Sequence, residues 1–182
     1  MRGLIKLCEH LGGLLGFIGL LRDVPLAHGV DADNRRPAPL ASLMRDKVRD
    51  VVMAVRRLYF TWVWKMDIGE GTVISLSAKL DKTNPRGIHI GRYSVVTFGA
   101  AVLTHDYVNG CDRDVHIGDD CFIGAHSIIL PGVTIGDNCI VAAASVVARN
   151  VPAGSLVAGN PARIVESNLK TAHYGIRIPR EP

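Results

Sequence analysis

Hydrophobic positions between Val115 and Val151 recur with a period of six residues. The stretch divides into the units VHIGDD, CFIGAH, SIILPG, VTIGDN, CIVAAA and SVVARN. The third position of every unit is aliphatic, and the first is small or β-branched. Because alternate residues of a strand share a face, each unit predicts a three-residue strand followed by a three-residue turn. A period of six that is kept over six consecutive units is typical of a hexapeptide β-helix.

The same pattern continues upstream with two interruptions. Further strand triplets lie at residues 66–68, 72–74, 78–80, 88–90, 94–96 and 100–102. If three triplets form one triangular coil, residues 81–87 follow the third triplet of the first coil and residues 103–114 follow the third triplet of the second. We therefore expect both insertions to leave the same corner of the prism. Loops on a regular scaffold often carry function, and the second insertion contains His105.

Residues 1–65 lack the hexapeptide pattern and predict helical and linker segments. The uncharged run Leu11–Leu21 is too short to span a bilayer. It predicts either a helix packed on the protein or an interfacial membrane helix, which makes residues 1–30 a candidate for peripheral membrane contact. Residues 30–39 are mostly polar, contain two prolines and predict a linker.

An amphipathic helix is predicted from Leu43 to about Trp62. Its apolar residues recur at helical spacing, and basic residues fall mostly on the other faces. These apolar residues are Met44, Val48, Val51, Val55, Leu58, Tyr59 and Trp62. We expect the helix to cover the open end of the β-helix, whose interior is apolar. The alternative is a basic helix that faces a membrane.

Composition narrows the functional classes. A chain of 182 residues with 48% hydrophobic content provides one principal domain with an ample core. An aromatic content of 5% argues against a nucleic-acid stacking surface, and a net charge of +4 suits a partner that carries phosphates. Cys121 and Cys139 fall at inward repeat positions, and no cysteine spacing predicts a disulfide framework or a metal site. The cytoplasm fits best, at the inner face of the membrane if the N-terminal run binds there.

The repeats and the ending VPAGSLVAGNPAR resemble the hexapeptide-repeat acyltransferases. The resemblance covers about residues 66–165 and is greatest with the sugar O-acetyltransferase branch, which includes maltose, galactoside and capsular-saccharide acetyltransferases. It implies an all-β core that is a left-handed parallel β-helix, with helical and linker segments in residues 1–65 and a tail at residues 166–182. The left hand comes from the resemblance alone, since parallel crossovers are right-handed in about 98% of cases.

The resemblance implies an acetyl-CoA-dependent O-acetyltransferase that acts on a sugar or saccharide hydroxyl. In that family a histidine in a place comparable to His105, within LTHDY, is the general base. Imidazole suits the removal of a hydroxyl proton during attack on a thioester, because it titrates near neutral pH. A carbonyl or carboxylate must fix its tautomer, and the adjacent Asp106 is one candidate.

The resemblance also implies which residues hold the co-substrate acetyl-CoA. Small turn residues let the backbone approach the pantetheine arm, and arginines at two matched places lie near the phosphates. Phe122 stands where the family frequently has tryptophan, and the alanines at residues 142–144 stand where a glycine is common. The candidates are Phe122, Ala125, Ala142, Ala143, Arg149, Pro161 and Arg163. No metal is expected.

Outward apolar residues predict a subunit interface. A monomer would expose Phe122, Ile128, Ile140 and Val146. The resemblance implies a homotrimer with active sites between subunits, which would bury this stripe.

Two other functions are compatible with the fold. A metalloenzyme of the γ-carbonic-anhydrase type needs three histidine ligands at a subunit interface. His89, His105 and His126 are conceivable ligands, although the C-terminal motif argues against this function. The other alternative is a non-catalytic β-helix scaffold, against which His105 at the insertion argues.

Overall fold

The computed structural model describes residues 40–178, with side chains from residue 47 onward. The predicted apolar run Leu11–Leu21 and the predicted linker at residues 30–39 lie outside the described residues, so peripheral membrane contact through residues 1–30 stays a prediction. Within the described range one α-helix, α1, spans Leu40–Trp62. No helix in this part of the chain is long and apolar enough to cross a membrane.

Short parallel strands follow α1 and build three sheets. Sheet 1 contains β1 (Asp67–Ile68), β4 (Ile88–Ile90), β9 (Val115–Ile117) and β12 (Thr134–Ile135). Sheet 2 contains β2 (Val73–Ile74), β5 (Val95–Val96), β10 (Phe122–Ile123), β13 (Ile140–Val141), β15 (Leu156–Gly159) and β16 (Ala162–Glu166). Sheet 3 contains β3 (Lys79–Leu80), β6 (Ala101–Val102), β11 (Ile128–Ile129) and β14 (Val146–Val147). All neighbours in these sheets are parallel except β15 and β16.

Shorter elements lie outside the three sheets. The strand β7 (His105–Asp106) pairs with β8 (Cys111–Asp112), and β17 (Thr171–Ala172) pairs with β18 (Ile176–Arg177), both antiparallel. One 3-10 turn, Pro85–Gly87, precedes β4, and another, His173–Gly175, joins β17 to β18.

The chain visits sheets 1, 2 and 3 in turn four times, which confirms the predicted coils. The register is the one that the hexapeptide period predicts, because residues at the same repeat position face each other in successive coils. Ile90 pairs with Ile117 in sheet 1, and Ile129 pairs with Val147 in sheet 3. A bridge between Ile135 and Val151 begins a partial fifth coil. This stacked three-sheet core is the architecture typical of a left-handed parallel β-helix.

Inward strand positions fill the interior of the prism. The third residues of the twelve triplets are between 0% and 6% exposed. Each such aliphatic side chain contributes about 1.5–3 kcal/mol when it leaves water, so stacking makes strands of two or three residues stable. The first residues are mostly small or β-branched and are equally buried, as at Cys121 and Ser127. The Ser127 hydroxyl donates to the carbonyl of Gly124 at 2.7 Å, which satisfies this buried polar group.

Three corners join the sheets. The insertion corner, between sheets 3 and 1, contains residues 81–87, 103–114, 130–132 and 148–150. The alanine corner, between sheets 2 and 3, includes residues 124–126 and 142–144. The aspartate corner, between sheets 1 and 2, includes residues 91–93, 118–120 and 136–138. Both insertions leave the same corner, as predicted, because β3 and β6 are neighbours in sheet 3.

The helix α1 packs with a different face from the one predicted. It begins at Leu40, earlier than the predicted Leu43, and it ends at Trp62 as predicted. Phe60 is 3% exposed and joins the core, and Arg56 Nη2 donates to the carbonyl of Ala78 at 3.1 Å. Five residues of the predicted apolar face are exposed, namely Val48, Val51, Val55, Tyr59 and Trp62, whereas Leu58 is half-buried. The C-terminal part of α1 therefore packs on the first coil through Phe60 and Arg56, which were not among the residues predicted to make this contact.

The last described residues, 168–178, form a C-terminal strap that runs back along the aspartate corner. Its backbone N–H groups donate from Leu169 to the carbonyl of Gly154 at 2.7 Å and from Tyr174 to the carbonyl of Tyr93 at 2.8 Å. Between these points, the Thr171 hydroxyl donates to the carbonyl of Asp120 at 2.9 Å. The strap therefore crosses the coils from the fifth to the second.

The predicted stripe of outward apolar residues is divided between two sheets. Phe122 and Ile140 lie on sheet 2, whereas Ile128 and Val146 lie on sheet 3. Phe122 is also half-covered by the strap, since a Cβ placed on Gly175 would lie 2.4 Å from the Cβ of Phe122. These residues therefore form one row on sheet 2 and one on sheet 3, because successive triplets turn onto different faces of the prism.

Candidate active site

The second insertion forms a β-hairpin that presents His105. The strands β7 and β8 pair so that His105 lies opposite Asp112 and Asp106 lies opposite Cys111. The tip of the hairpin is closed by Asp106, whose Oδ1 accepts the backbone N–H groups of Val108 and Asn109, both at 3.1 Å. The imidazole is therefore held by a short ordered element at the insertion corner.

Asp112 is the carboxylate that contacts His105. Its Oδ1 lies 2.7 Å from the Nδ1 of the imidazole. An ionised carboxylate only accepts hydrogen bonds, so this contact assigns the proton of the neutral ring to Nδ1 and leaves the lone pair of Nε2 free. The side chain of His105 is 20% exposed, so the ring is sheltered while it remains accessible. The pair has the geometry of a general base with an orienting group.

Asp106, the candidate orienting residue from the sequence, faces the hairpin tip instead. Its Oδ2 accepts the side-chain amide of Asn109 at 2.6 Å. Hydrogen bonds from the Asn109 side chain and backbone hold the pKa of Asp106 below its ordinary value. Neighbouring residues of a strand point to opposite sides, so Asp106 is directed away from the imidazole. Asp112 was missed because the hairpin register, which brings it to His105, depends on the length of the turn.

Tyr107 forms a second contact of the imidazole. Its ring lies nearly perpendicular to that of His105, with centroids 4.4 Å apart and an interplanar angle of 82°. The phenol oxygen lies 3.4 Å from the hydroxyl of Thr83 in the first insertion. Tyr107 is 78% exposed, so most of its ring is available to a ligand bound beside His105.

The predicted coenzyme A residues divide between two corners and the end of sheet 2. Ala125, Ala142 and Ala143 lie at the alanine corner, whereas Arg149 shares the insertion corner with His105. The remaining candidates lie on sheet 2 or on its terminal hairpin, namely Phe122, Pro161 and Arg163. Within one chain the structure therefore brings only Arg149 to the corner of His105, two coils away.

The two inward cysteines, Cys121 and Cys139, lie in the core and not on the hairpin that carries His105. A hydrogen bond shared with Cys139, together with burial, raises the pKa of the Cys121 thiol. The thiols of Cys121 and Cys139 lie close to the carbonyls of Gly136 and Pro152, at 3.1 Å and 3.2 Å. Both cysteines are core residues, as predicted.

The other candidate histidines do not approach His105 within the chain. His89 lies on sheet 1, where its ring stacks on that of His116 at 4.4 Å, and its Nδ1 lies 3.2 Å from Asp67 Oδ2. His126 lies at the alanine corner, edge-on to Phe98. Over the described residues, no three or more His, Cys, Asp or Glu side chains are grouped so that they could hold a metal ion.

Comparisons with known proteins agree with this fold. Residues 114–149 match the family described as the hexapeptide repeat of succinyl-transferase. The chain is 38% identical over 110 residues to "Putative acetyltransferase YvoF" of Bacillus subtilis (strain 168), covering 59% of this chain and 63% of that protein. It is 35% identical over 159 residues to "Probable serine acetyltransferase 5" of rice (Oryza sativa subsp. japonica), covering 84% of this chain and 42% of that protein. The chain spans about half the length of the curated relatives it matches.

A solved structure shares the architecture. The serine acetyltransferase of Neisseria gonorrhoeae superposes with a TM-score of 0.51 at 25% identity, over 69% of this chain and 55% of that chain. The fold and the repeats define a hexapeptide β-helix protein. Over this part of its length the chain is similar to acetyltransferases that carry hexapeptide repeats.

Proposed function

We propose that the protein is an acetyl-CoA-dependent O-acetyltransferase in which His105 is the general base. The observation that carries this proposal is the 2.7 Å contact between His105 Nδ1 and Asp112 Oδ1, which leaves Nε2 free to accept a proton. The names of the relatives supply the acetyl group as the transferred group. The second insertion, at a corner of the regular scaffold, offers a place where an acceptor can meet the acetyl group.

The reaction needs one base and one leaving group. Nε2 of His105 takes the proton of the acceptor hydroxyl while its oxygen attacks the thioester carbonyl, and a C–O bond forms. The C–S bond then breaks, and the coenzyme A sulfur leaves with the electron pair and receives the proton from the imidazolium. Asp112 stabilises the transient positive charge and keeps the ring in place, which is the role of a carboxylate behind a catalytic imidazole.

We propose a sugar or saccharide hydroxyl as the acceptor. The exposed ring of Tyr107 beside His105 offers an aromatic surface of the kind that lines ligand sites, and the apolar face of a sugar ring fits it. The second candidate is the hydroxyl of serine, which the names of the rice relative and of the Neisseria enzyme favour.

We propose a homotrimer with the co-substrate between subunits. The predicted coenzyme A residues lie at both the alanine corner and the insertion corner, which sheet 3 separates within one chain. A neighbouring copy that presents its alanine corner to this insertion corner would bring both sets to one molecule of acetyl-CoA. Light scattering of the purified protein measures the assembly directly.

The test of the function is thiol release from acetyl-CoA in the presence of separate acceptors. A panel of mono- and oligosaccharides and L-serine is assayed with the wild type and with His105→Ala. We expect acceptor-dependent release by the wild type with a sugar acceptor and its loss in the variant. Release with L-serine alone would support the proposed acetyl transfer but would show that the acceptor is serine and not a sugar. No release with any acceptor would contradict the proposal.

A further inference from the structure

The first insertion holds the start of the catalytic hairpin through one carboxylate. Asp81, directly after β3, uses its Oδ2 to accept the backbone N–H groups of Thr104 and His105, both at 3.0 Å. Its Oδ1 accepts the backbone N–H of Thr83 at 2.8 Å. Two consecutive donors on one oxygen fix the direction of the backbone as it enters β7, and hydrogen bonds to a charged acceptor are the stronger kind.

Thr104 is fastened from both insertions. It is fully buried, and its hydroxyl donates to the carbonyl of Asn84 at 2.7 Å. Its own carbonyl accepts the N–H of Arg113, on the returning side of the hairpin, at 2.9 Å. The residue before His105 therefore has partners in the first insertion and in the second, which leaves it little freedom to move.

The ends of the two insertions also meet. A Cβ placed on Gly87 would lie 2.4 Å from Asn84 Nδ2 and 2.6 Å from Asp114 Oδ1, so the side chains of Asn84 and Asp114 come together over Gly87. At the hairpin tip, Thr83 approaches the phenol of Tyr107. The first insertion thus supports the second at its start, its tip and its end.

The titration of Asp81 is consistent with a charged anchor. Burial by itself raises the pKa of this carboxyl, but hydrogen bonds from the backbone of Thr83, Thr104 and His105 outweigh it and hold the pKa below its ordinary value. Asp81 is therefore ionised at neutral pH, where the hydrogen bonds to its oxygens are strongest.

We propose that Asp81 is a positioning residue that sets the place of His105 by holding its backbone, without touching its imidazole. This rests on the proposed function of His105 as a general base. A base must lie within hydrogen-bond reach of the proton that it removes, and a displacement of about 1 Å at such a group can cost about 10²-fold in rate. Asp112 orients the ring, whereas Asp81 locates the strand that carries it.

The experiment compares Asp81→Asn with Asp67→Asn in the full chain. Asp67 also lies in the first coil, but it faces His89 on sheet 1, away from the hairpin. Hydrogen exchange followed by mass spectrometry reports the amides of residues 103–106, and steady-state kinetics reports kcat and KM. For Asp81→Asn we expect about 10-fold faster exchange in this segment and about 10-fold lower kcat or more, with the KM for acetyl-CoA within about twofold. For Asp67→Asn we expect neither change.

The outcomes test the positioning role of Asp81 separately from the proposed acetyl transfer. Unchanged exchange in Asp81→Asn overturns the anchoring, whatever the activity. Faster exchange with unchanged kcat overturns the positioning role. If the wild type transfers no acetyl group, the proposed function fails, and exchange still decides whether Asp81 holds the hairpin. If Asp81→Asn does not fold, Asp81→Glu keeps the charge but displaces both oxygens, and its exchange and kcat are read in the same way.

Discussion

His105 and Asp112 lie directly opposite each other on β7 and β8, with Nδ1 and Oδ1 2.7 Å apart. The side chain of Asp112 is 58% exposed, whereas that of His105 is 20% exposed. Water screens a contact of this kind, so its contribution to the stability of the fold is small. Its value is geometric, because it fixes the plane of the ring and assigns the proton of the neutral ring to Nδ1.

His105→Ala should abolish most of the acetyl transfer while the protein remains folded. A lost general base usually costs about 10²–10⁴-fold in turnover. The side chain lies on an insertion outside the core, so the free energy of unfolding and the affinity for coenzyme A should stay near the wild-type values. Turnover in saturating acceptor, calorimetry with coenzyme A and urea unfolding measure the three quantities.

The matched control for that variant is His116→Ala. His116 is another outward histidine, but it is exposed, lies on sheet 1 and stacks on His89. We expect its turnover to stay within about twofold of the wild type, because it contacts no group of the hairpin. Near-normal turnover in His105→Ala, or an equal loss in both variants, would remove His105 from the role of base.

Asp112→Asn should lower kcat without changing the affinity for acetyl-CoA. The amide keeps a similar shape but removes the charge that stabilises the imidazolium, and it can present an N–H₂ group to Nδ1 and so favour the wrong tautomer. We expect a loss of about 10²-fold or more in kcat, because an Asp→Asn change behind a catalytic histidine, which imposes the wrong tautomer, can cost about 10⁴-fold. The natural control is Asp67→Asn, which changes another His–Asp contact, at 3.2 Å on sheet 1. Equal kinetics for the two variants would contradict an orienting role for Asp112.

The period of six residues predicted the parts of the fold that depend on repetition. Aliphatic third positions are buried wherever they occur, and two insertions after the third triplet must share a corner, so the placement of His105 at that corner followed from counting residues. The partner of His105 did not follow, because Asp112 reaches it through a hairpin register that no repeat sets. Phe60 was missed for a similar reason: helical periodicity identifies an apolar face, but it does not identify Phe60 and Arg56 as the residues that pack on the first coil.

The arginines predicted to bind phosphates should affect affinity more than turnover. Arg149 lies at the insertion corner two coils beyond His105, and Arg163 lies on β16 at the end of sheet 2. Loss of a guanidinium that contacts a phosphate typically weakens binding by several-fold to about 10-fold, corresponding to about 1 kcal/mol for a solvent-exposed charge contact. Calorimetry of Arg149→Ala and Arg163→Ala with acetyl-CoA measures this.

Arg92→Ala provides the comparison for the two arginines. Arg92 is also a surface residue, but it forms an ion pair with Asp119 at the aspartate corner, at 2.9 Å. The affinity of the Arg92→Ala variant for acetyl-CoA should equal that of the wild type. Unchanged affinity in both Arg149→Ala and Arg163→Ala would show that neither arginine belongs to the co-substrate site.

Gly175→Ala should release the C-terminal strap from sheet 2. Gly175 has φ +67°, and an added Cβ would lie 2.4 Å from the Cβ of Phe122 and 2.9 Å from its backbone nitrogen. Gly110, at the hairpin tip, has φ +61° and no atom within 4 Å of an added Cβ. Alanine in this left-handed region costs about 1–2 kcal/mol at either position.

Only Gly175→Ala adds a steric conflict, so it should lose more free energy of unfolding than Gly110→Ala in urea titrations. Hydrogen exchange should rise at residues 168–178 in the first variant alone, because those residues pack through this contact. Equal losses in the two variants would mean that the strap does not depend on the contact between Gly175 and Phe122.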